Sequence, residues 1–355
     1  MAVHSHLKLR ELMQLILEAA NTPPSLAQVV SDSLVDANLA GHDSHGVIRI
    51  IQYLDQVQCG ALDPAAEAEV VHRDGSVARV DGKWGWGQPA MHLATQEAIE
   101  LARANGLGMS VVDRGYHVGR VAPYVETVAR ENMIALAMAN AGAAVAPYGA
   151  RSRVMGTNPI AWAVPRGNGE TPVSLDIATA FIAEGKLRVA RAKGLPAPPG
   201  AVVNVEGVPS LNPSDFYDGG ALMAFGAHKG SGFSILAQML GRGLAGLTPE
   251  RTAEHRGANG AVILVIDPAR LTPLEQFFTE IGRQVNEIHD AQPAEGFSEV
   301  LLPGEPEVAE RAQRERDGID VPDQTWAELL RVATDWGVPL PGWVSGATRS
   351  KVNVG

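Results

Sequence analysis

Three clusters in this 355-residue chain carry side chains able to move a proton or grip an anion. The densest is His42-Asp43-Ser44-His45-Gly46-Val47-Ile48-Arg49. Asp43, Ser44 and His45 have the residue types of a hydrolase triad. Neighbouring side chains on a helix point about 100° apart, however, so three in a row cannot relay hydrogen bonds along one line. His42 and His45, at i and i+3, could meet one metal ion, but no third ligand stands nearby and HExxH is absent, so no metal is expected. A third reading runs a helix from about Ser44 to Gln58, lining His45, Arg49 and Tyr53 along one face at i, i+4 and i+8. A guanidinium grips a carboxylate through two bonds while an imidazole near its reference pKa exchanges a proton with the adjacent oxygen, which suits a 2-hydroxy or 2-oxo acid. In the competing structural reading, His45 and Arg49 merely cap and decorate a helix start. Spacing alone leaves both open.

A second histidine lies in Asp113-Arg114-Gly115-Tyr116-His117-Val118-Gly119-Arg120, between an apolar strand and a helix. Such turns bring backbone N–H groups and side chains to the rim of a sheet, where ligands collect, so His117 is the other candidate acid or base. The third cluster, Gly226-Ala227-His228-Lys229-Gly230-Ser231-Gly232, opens an apolar helix. Free N–H groups there would converge with His228 and Lys229 on an anion such as a pyrophosphate, unhindered by Cβ atoms at the glycines. The P-loop spacing is missing, and a plain Gly-rich turn is the structural alternative. Gly85-Trp86-Gly87-Gln88-Pro89-Ala90 formally fits the dinucleotide pattern G-x-G-x-x-A. An indole at its second position, a proline at its fifth and the lack of an acidic residue about 20 residues on argue against that use.

The elements that must position these clusters follow from periodicity. Leu9, Leu12, Met13, Ile16 and Leu17 recur at helical spacing, and Pro23-Pro24-Ser25 stops that helix and offers a cap to the next, Leu26 to Leu39. Asp74-Gly75 between two β-rich runs predicts a hairpin. A helix ending at Gly106, a strand over GMSVVD, a helix over VAPYVETVARE and a strand over MIALAMAN come next. AWAVPR and PVSLDIA flank Gly167-Asn168-Gly169 and read as a second hairpin, which argues for a mixed or antiparallel sheet. Residues 194–220 are rich in Pro and Gly and read as a long functional or connecting loop. A helix over 230–245, a strand from Ala261 to Ile266, a helix from Pro273 to Asp290 and two short helices complete the chain.

Composition sets the class. The chain is 45% apolar and 19% charged, enough to cover a core several layers deep and incompatible with disorder, collagen or coiled coil. Lys plus Arg is 29 against 40 Asp plus Glu, a net charge of −11, so neither nucleic acid nor an acidic membrane surface is an expected partner. One cysteine, Cys59, allows no internal disulfide, and no window has the apolar length of a membrane span or signal peptide. A cytoplasmic protein is expected.

In chain order, the quoted segments DSHGVIR (43–49), YHVG (116–119), AP-x-G (146–149), GTNPIA (156–161), LDIAT (175–179), GK (185–186), HKGSGF (228–233) and LPGE (302–305) resemble the malate/L-lactate dehydrogenase family of non-Rossmann type. The resemblance spans most of the chain and implies an α/β fold with a mixed, largely antiparallel sheet, flanking helices and a helical cap. It further implies NAD or NADP as cofactor, a small 2-oxo or 2-hydroxy acid as substrate, and a homodimer. Carried over by position, Ser44 and His45 look like the proton-handling pair, Arg49 the carboxylate clamp, His117 a loop acid or base and Thr157 a substrate contact. Gly119, Asp176, Ile177, Ala178, Thr179, His228, Lys229, Gly304 and Glu305 look like cofactor contacts. The expected division is a cap over 1–72 joined by helices in 305–340, a substrate core over 73–120 with 225–304, and a cofactor domain over 121–224. Arg114-Gly115-Tyr116 and Ala180 depart from the family pattern around the loop histidine and after LD-x-AT. The alternatives are a cyclic imino-acid reductase, although Lys186 stands where those enzymes carry Asp, and a silent dinucleotide-binding protein.

Overall fold

The structure, a computed structural model, describes residues 2–255 and 257–347. The chain forms two units, residues 1–65 with 307–355 and residues 66–306. The first unit opens with strand β1 (Ala2–His4) and helix α1 (His6–Ala19), where the Ser5 hydroxyl accepts the N–H of Leu7 at 3.2 Å. The apolar stripe from Leu9 to Leu17 is fully buried, as its spacing predicts. Helix α2 (Pro24–Leu39) starts with a proline, whose fixed φ and missing N–H suit a first turn, and no side chain caps it, so the capping expected of Ser25 is not used. A 3-10 turn at Asp43–His45 and helix α3 (Arg49–Gln58) follow.

The second unit begins with the expected hairpin of β2 (Glu69–Asp74) and β3 (Val77–Gly85), paired from Asp74 opposite Val77. Helix α4 (Gly87–Asn105) then crosses to β4 (Leu107–Gly115), which lies parallel to β3. Helix α5 (Ala122–Arg130), strand β5 (Ile134–Ala139) and the second hairpin, β6 (Ile160–Val164) with β7 (Val173–Ile177), come next. After α6 (Glu184–Ala192), the Pro/Gly-rich stretch is more ordered than its composition suggests. It holds β8 (Val202–Val203), β9 (Pro209–Ser210) and α7 (Ser214–Tyr217), and with β10 (Ala221–Leu222) forms a small sheet of order β10-β8-β9. Helix α8 (His228–Gln238) passes into a π-helical turn (Met239–Leu244) before β11 (Asn259–Ile266) and α9 (Leu274–His289).

The main sheet has the order β2-β3-β4-β11-β5-β6-β7 and is antiparallel at every pairing except β3 with β4. This is the mixed, largely antiparallel α/β architecture expected above. Alternation along the central strands divides two cores. Val112, Ala137 and Ile263 meet Ala94, Ala98 and Val125 of α4 and α5, while Val111, Met138 and Val262 face Ala237, Ala245 and Leu247. The chain returns to the first unit through α10 (Glu305–Asp317), β12 (Ile319–Val321), α11 (Asp323–Asp335) and α12 (Gly342–Ala347). There β12 pairs antiparallel with β1, and His4 stacks on Trp326 with ring centroids 3.9 Å apart.

Candidate active site

In the first unit the expected continuous helix from Ser44 to Gln58 does not form. Gly46 is extended, at ψ −156°, and separates the Asp43–His45 turn from α3. His45 therefore leaves the helical face that Arg49 and Tyr53 still share at i and i+4 of α3, and Tyr53 is buried. Tertiary contacts impose the break. Buried Asn38 accepts the N–H of Val47 at 2.8 Å and donates to Asp43 Oδ1 at 2.6 Å, and a Cβ at Gly46 would overlap the Asn38 carboxamide. Arg314 of α10 adds bonds to Asp43 Oδ1 at 2.6 Å and to the Asn38 carbonyl at 2.8 Å.

The turn so fixed sets Ser44 Oγ 3.1 Å from His45 Nδ1, with both residues half-buried. Arg49 donates from Nε to the Ser44 carbonyl at 2.6 Å and from Nη1 to Gln52 at 2.7 Å. Nε and Nη1 are thus both held within the protein, one donor from each of the two edges through which a guanidinium can fork onto a carboxylate. His42 lies 3.4 Å from Glu307. Among the described residues, no group of three or more His, Cys, Asp or Glu is placed to hold a metal ion.

In the second unit the segment that follows β4 crosses to the end of β7. Asp176 Oδ2 accepts the N–H groups of Val121 at 2.6 Å and Ala122 at 2.8 Å, where a carboxylate also complements the positive end of the α5 dipole. That ties the segment carrying His117 and Gly119 to the strand carrying Asp176 and Ile177. Thr179 is fully buried; its hydroxyl donates to the carbonyls of Thr157 and Asn158, both at 3.0 Å, and its N–H to that of Thr157 at 2.8 Å. Thr179 therefore fixes the loop that presents half-buried Thr157. The Thr179 carbonyl accepts the Phe225 N–H at 3.0 Å and Ala180 bridges to Ala224, bringing Ala178 and Thr179 beside the approach to His228 and Lys229.

The backbone cradle expected at the start of α8 is not open. The N–H groups of Lys229, Gly230 and Ser231 turn back onto the carbonyls of Gly226, Phe225 and Ala227, a closure made by positive φ at Gly226 (54°) and Ala227 (57°). What remains for an anion is the exposed pair His228 and Lys229 at the positive helix end, with the Tyr148 ring 5.8 Å from His228. These donors fit the pyrophosphate of a dinucleotide. Gly304 packs against Ser174 of β7, and Glu305 bonds His289 at 3.0 Å and the Leu302 N–H at 2.8 Å.

His117 is half-buried, and the Gly119 N–H donates to its Nδ1 at 3.3 Å. Its neutral ring then carries the proton on Nε2. Sequence reasoning missed three positioning groups. Asn158, buried at φ 34°, accepts from the Ala141 N–H and donates to the Ser234 carbonyl. Tyr124 donates to the Val118 carbonyl at 2.5 Å. Arg114, at φ 52°, forks onto Asp81. Only the departure of Arg114 from the family pattern offered a signal in advance.

Residues 4–330 match the model of a family described as malate/L-lactate dehydrogenase. The chain is 32% identical over 340 residues to L-lactate dehydrogenase of Cupriavidus necator, covering 94% of this chain and 97% of that one. It is 33% identical to a Δ1-pyrroline-2-carboxylate/Δ1-piperideine-2-carboxylate reductase of Pseudomonas syringae, covering 93% and 96%. The solved sulfolactate dehydrogenase of Methanocaldococcus jannaschii superposes with a TM-score of 0.87 at 30% identity, covering 96% of this chain and 98% of that one.

Proposed function

The chain belongs to the malate/L-lactate dehydrogenase family, and from that premise we propose that it is an oxidoreductase moving hydride between a nicotinamide dinucleotide and C2 of a small 2-hydroxy or 2-oxo carboxylate. One observation carries the reading: in the second unit, Asp176 and Thr179 tie the His117 segment, the Thr157 loop and the approach to His228 and Lys229 into one assembly. When bound, NAD or NADP supplies the hydride chemistry at the nicotinamide ring. His228 and Lys229 hold the pyrophosphate by charge and helix dipole. Gly119, Asp176, Ile177 and Ala178 line the nucleotide, with Gly304 and Glu305 at the far end of β7. Thr157 contacts the acid, and His117 addresses the C2 oxygen from Nε2. The first unit carries the other candidates of the same kinds, Arg49 for a carboxylate and Ser44 with His45 for a hydroxyl proton, and the alanine variants of His45 and His117 decide which imidazole exchanges the proton.

Purified protein should oxidise NADH or NADPH in the presence of at least one acid among pyruvate, oxaloacetate and larger 2-oxo acids. His45→Ala and His117→Ala are compared in the same assay, and a placed acid or base contributes about 10²–10⁴-fold. Turnover confined to a cyclic imine, or none with any 2-oxo acid, refutes the reading. A homodimer in a reducing compartment belongs to the same proposal: Phe233 and Met239 stand 51% and 66% exposed on and just beyond α8, Cys59 is an exposed free thiol, and no helix of the described residues is long and apolar enough to cross a membrane. Sedimentation checks the dimer.

A further inference from the structure

The Gly85-Trp86-Gly87 turn has nucleotide-loop spacing, but the space in front of it is filled by the chain itself. A Cβ at Gly87, the first residue of α4, would overlap the Tyr116 carbonyl oxygen and stand 2.6 Å from that of His117. The Tyr116 N–H donates to the Gly85 carbonyl at 3.2 Å. Within β3, Gly82 also lies close to the Arg114 carbonyl, from which a Cβ would stand 2.8 Å away. Three side-chain-bearing residues in this small region are left-handed, Lys83 (φ 50°), Trp84 (φ 61°) and Arg114 (φ 52°), a conformation retained only where surroundings over-determine it. Buried Asp81 is the common anchor. It accepts the Lys83 N–H at 2.8 Å and Arg114 Nε at 2.8 Å, with a second bond from Arg114 Nη2. From the other side, Tyr124 holds the Val118 carbonyl.

We propose that the Gly85–Gly87 turn and the Asp81–Arg114 pair are positioning groups for His117: they clamp the backbone on both sides of it, so that the imidazole stands at one place without a rearrangement during turnover. The proposal rests on the reading that His117 addresses the substrate. The dinucleotide-like spacing then has a different use, close approach of backbone to backbone rather than of backbone to phosphate.

The test compares Gly87→Ala and Asp81→Asn with Gly108→Ala. At Gly108 a Cβ would overlap the Ala98 carbonyl, in the C-terminal half of α4, so this variant reproduces the steric insult away from the Gly87 end of the helix. The imidazole of His117 is followed by nitrogen NMR of histidine-labelled protein, its signal assigned by its loss in His117→Ala. Gly87→Ala and Asp81→Asn are expected to shift that signal and its titration and to lower kcat by about 10- to 100-fold, the effect of a displacement near 1 Å, with KM for the nicotinamide changed less than about threefold. Gly108→Ala is expected to lower stability with the signal in place. Should Gly87→Ala not fold, Asp81→Asn, which keeps the shape but loses the charge and one of the two acceptors facing Arg114, decides alone. An unmoved His117 signal, with kcat falling no further than in Gly108→Ala, overturns the proposal. Unimpaired turnover in His117→Ala would refute the substrate role of His117 instead, and the signal would still report whether the clamp exists.

Discussion

Asp176 offers a perturbation whose structural and functional consequences separate. Its Oδ2 accepts two N–H groups, from Val121 and Ala122, which are only 1% and 2% exposed. In Asp176→Ala both donors lose their partner away from water, at about 1–3 kcal/mol each, and α5 loses an acidic group at its positive end, about 0.3–1 kcal/mol more. A loss of about 4 kcal/mol is expected. For a unit of this size each kcal/mol shifts Tm by about 2–4 °C, so the midpoint should fall by roughly 8–16 °C. Asp176→Asn keeps an acceptor for the two N–H groups and forfeits the charge, so about 1–2 kcal/mol, or roughly 2–8 °C, is expected. Thermal unfolding gives the two stabilities, and cofactor titration of the folded variants gives a second, independent number. If Asp176 also lines the nucleotide, Asp176→Asn weakens cofactor binding by more than about fivefold while remaining folded. A drop in Asp176→Ala below about 1 kcal/mol would refute the capping argument, and unchanged cofactor affinity in Asp176→Asn would confine the residue to structure.

Arg49→Lys removes both the Nε bond to the Ser44 carbonyl and the planar edge for a carboxylate, so KM for the acid should rise at least about tenfold; an unaltered KM contradicts the clamp. Replacing His228 and Lys229 together by Ala should raise the Kd of NADH and NADPH by about 10- to 100-fold, the worth of charge-assisted bonds to phosphate, and an equilibrium titration showing no change would remove them from the cofactor site. Burial holds the imidazoles of His4 and His92 below the ordinary histidine range, with Lys8 adding to the effect at His4. The unfolded chain binds protons that these rings refuse when folded, so their contribution is complete above about pH 6.5 and is lost as pH falls below it, at no more than about 1.4 kcal/mol per pH unit for each ring. Urea midpoints that stay level from about pH 7.5 to pH 5 would contradict this sign.

Much of the fold was legible because it is written locally. The buried stripe of α1, the Asp74-Gly75 hairpin, the glycine at φ 84° that ends α4 and the hairpin about Gly167-Asn168-Gly169 each depend on neighbours within a few residues. Eight short segments in order were enough to indicate the family, since spacing and residue type survive where overall identity has fallen to about a third. Local rules failed wherever a distant group intervened. Helical spacing made one surface of His45, Arg49 and Tyr53, but Asn38 and Arg314 impose a turn there and Gly46 breaks the helix. The glycines before α8 looked like an open cradle, yet two left-handed residues close it onto its own carbonyls.

What the sequence determined by itself is therefore the set of elements, the family and the kinds of side chain available for chemistry, because periodicity, turn chemistry and residue order are properties of adjacent positions. Only the tertiary structure decided that β11 lies between β4 and β5, that β1 closes against β12, that Asp176 caps α5, and that a turn with the spacing of a nucleotide loop holds the backbone of His117. Each joins residues tens to hundreds of positions apart, and such pairings are fixed by the simultaneous burial and hydrogen-bond satisfaction of the whole unit, which no window of sequence contains.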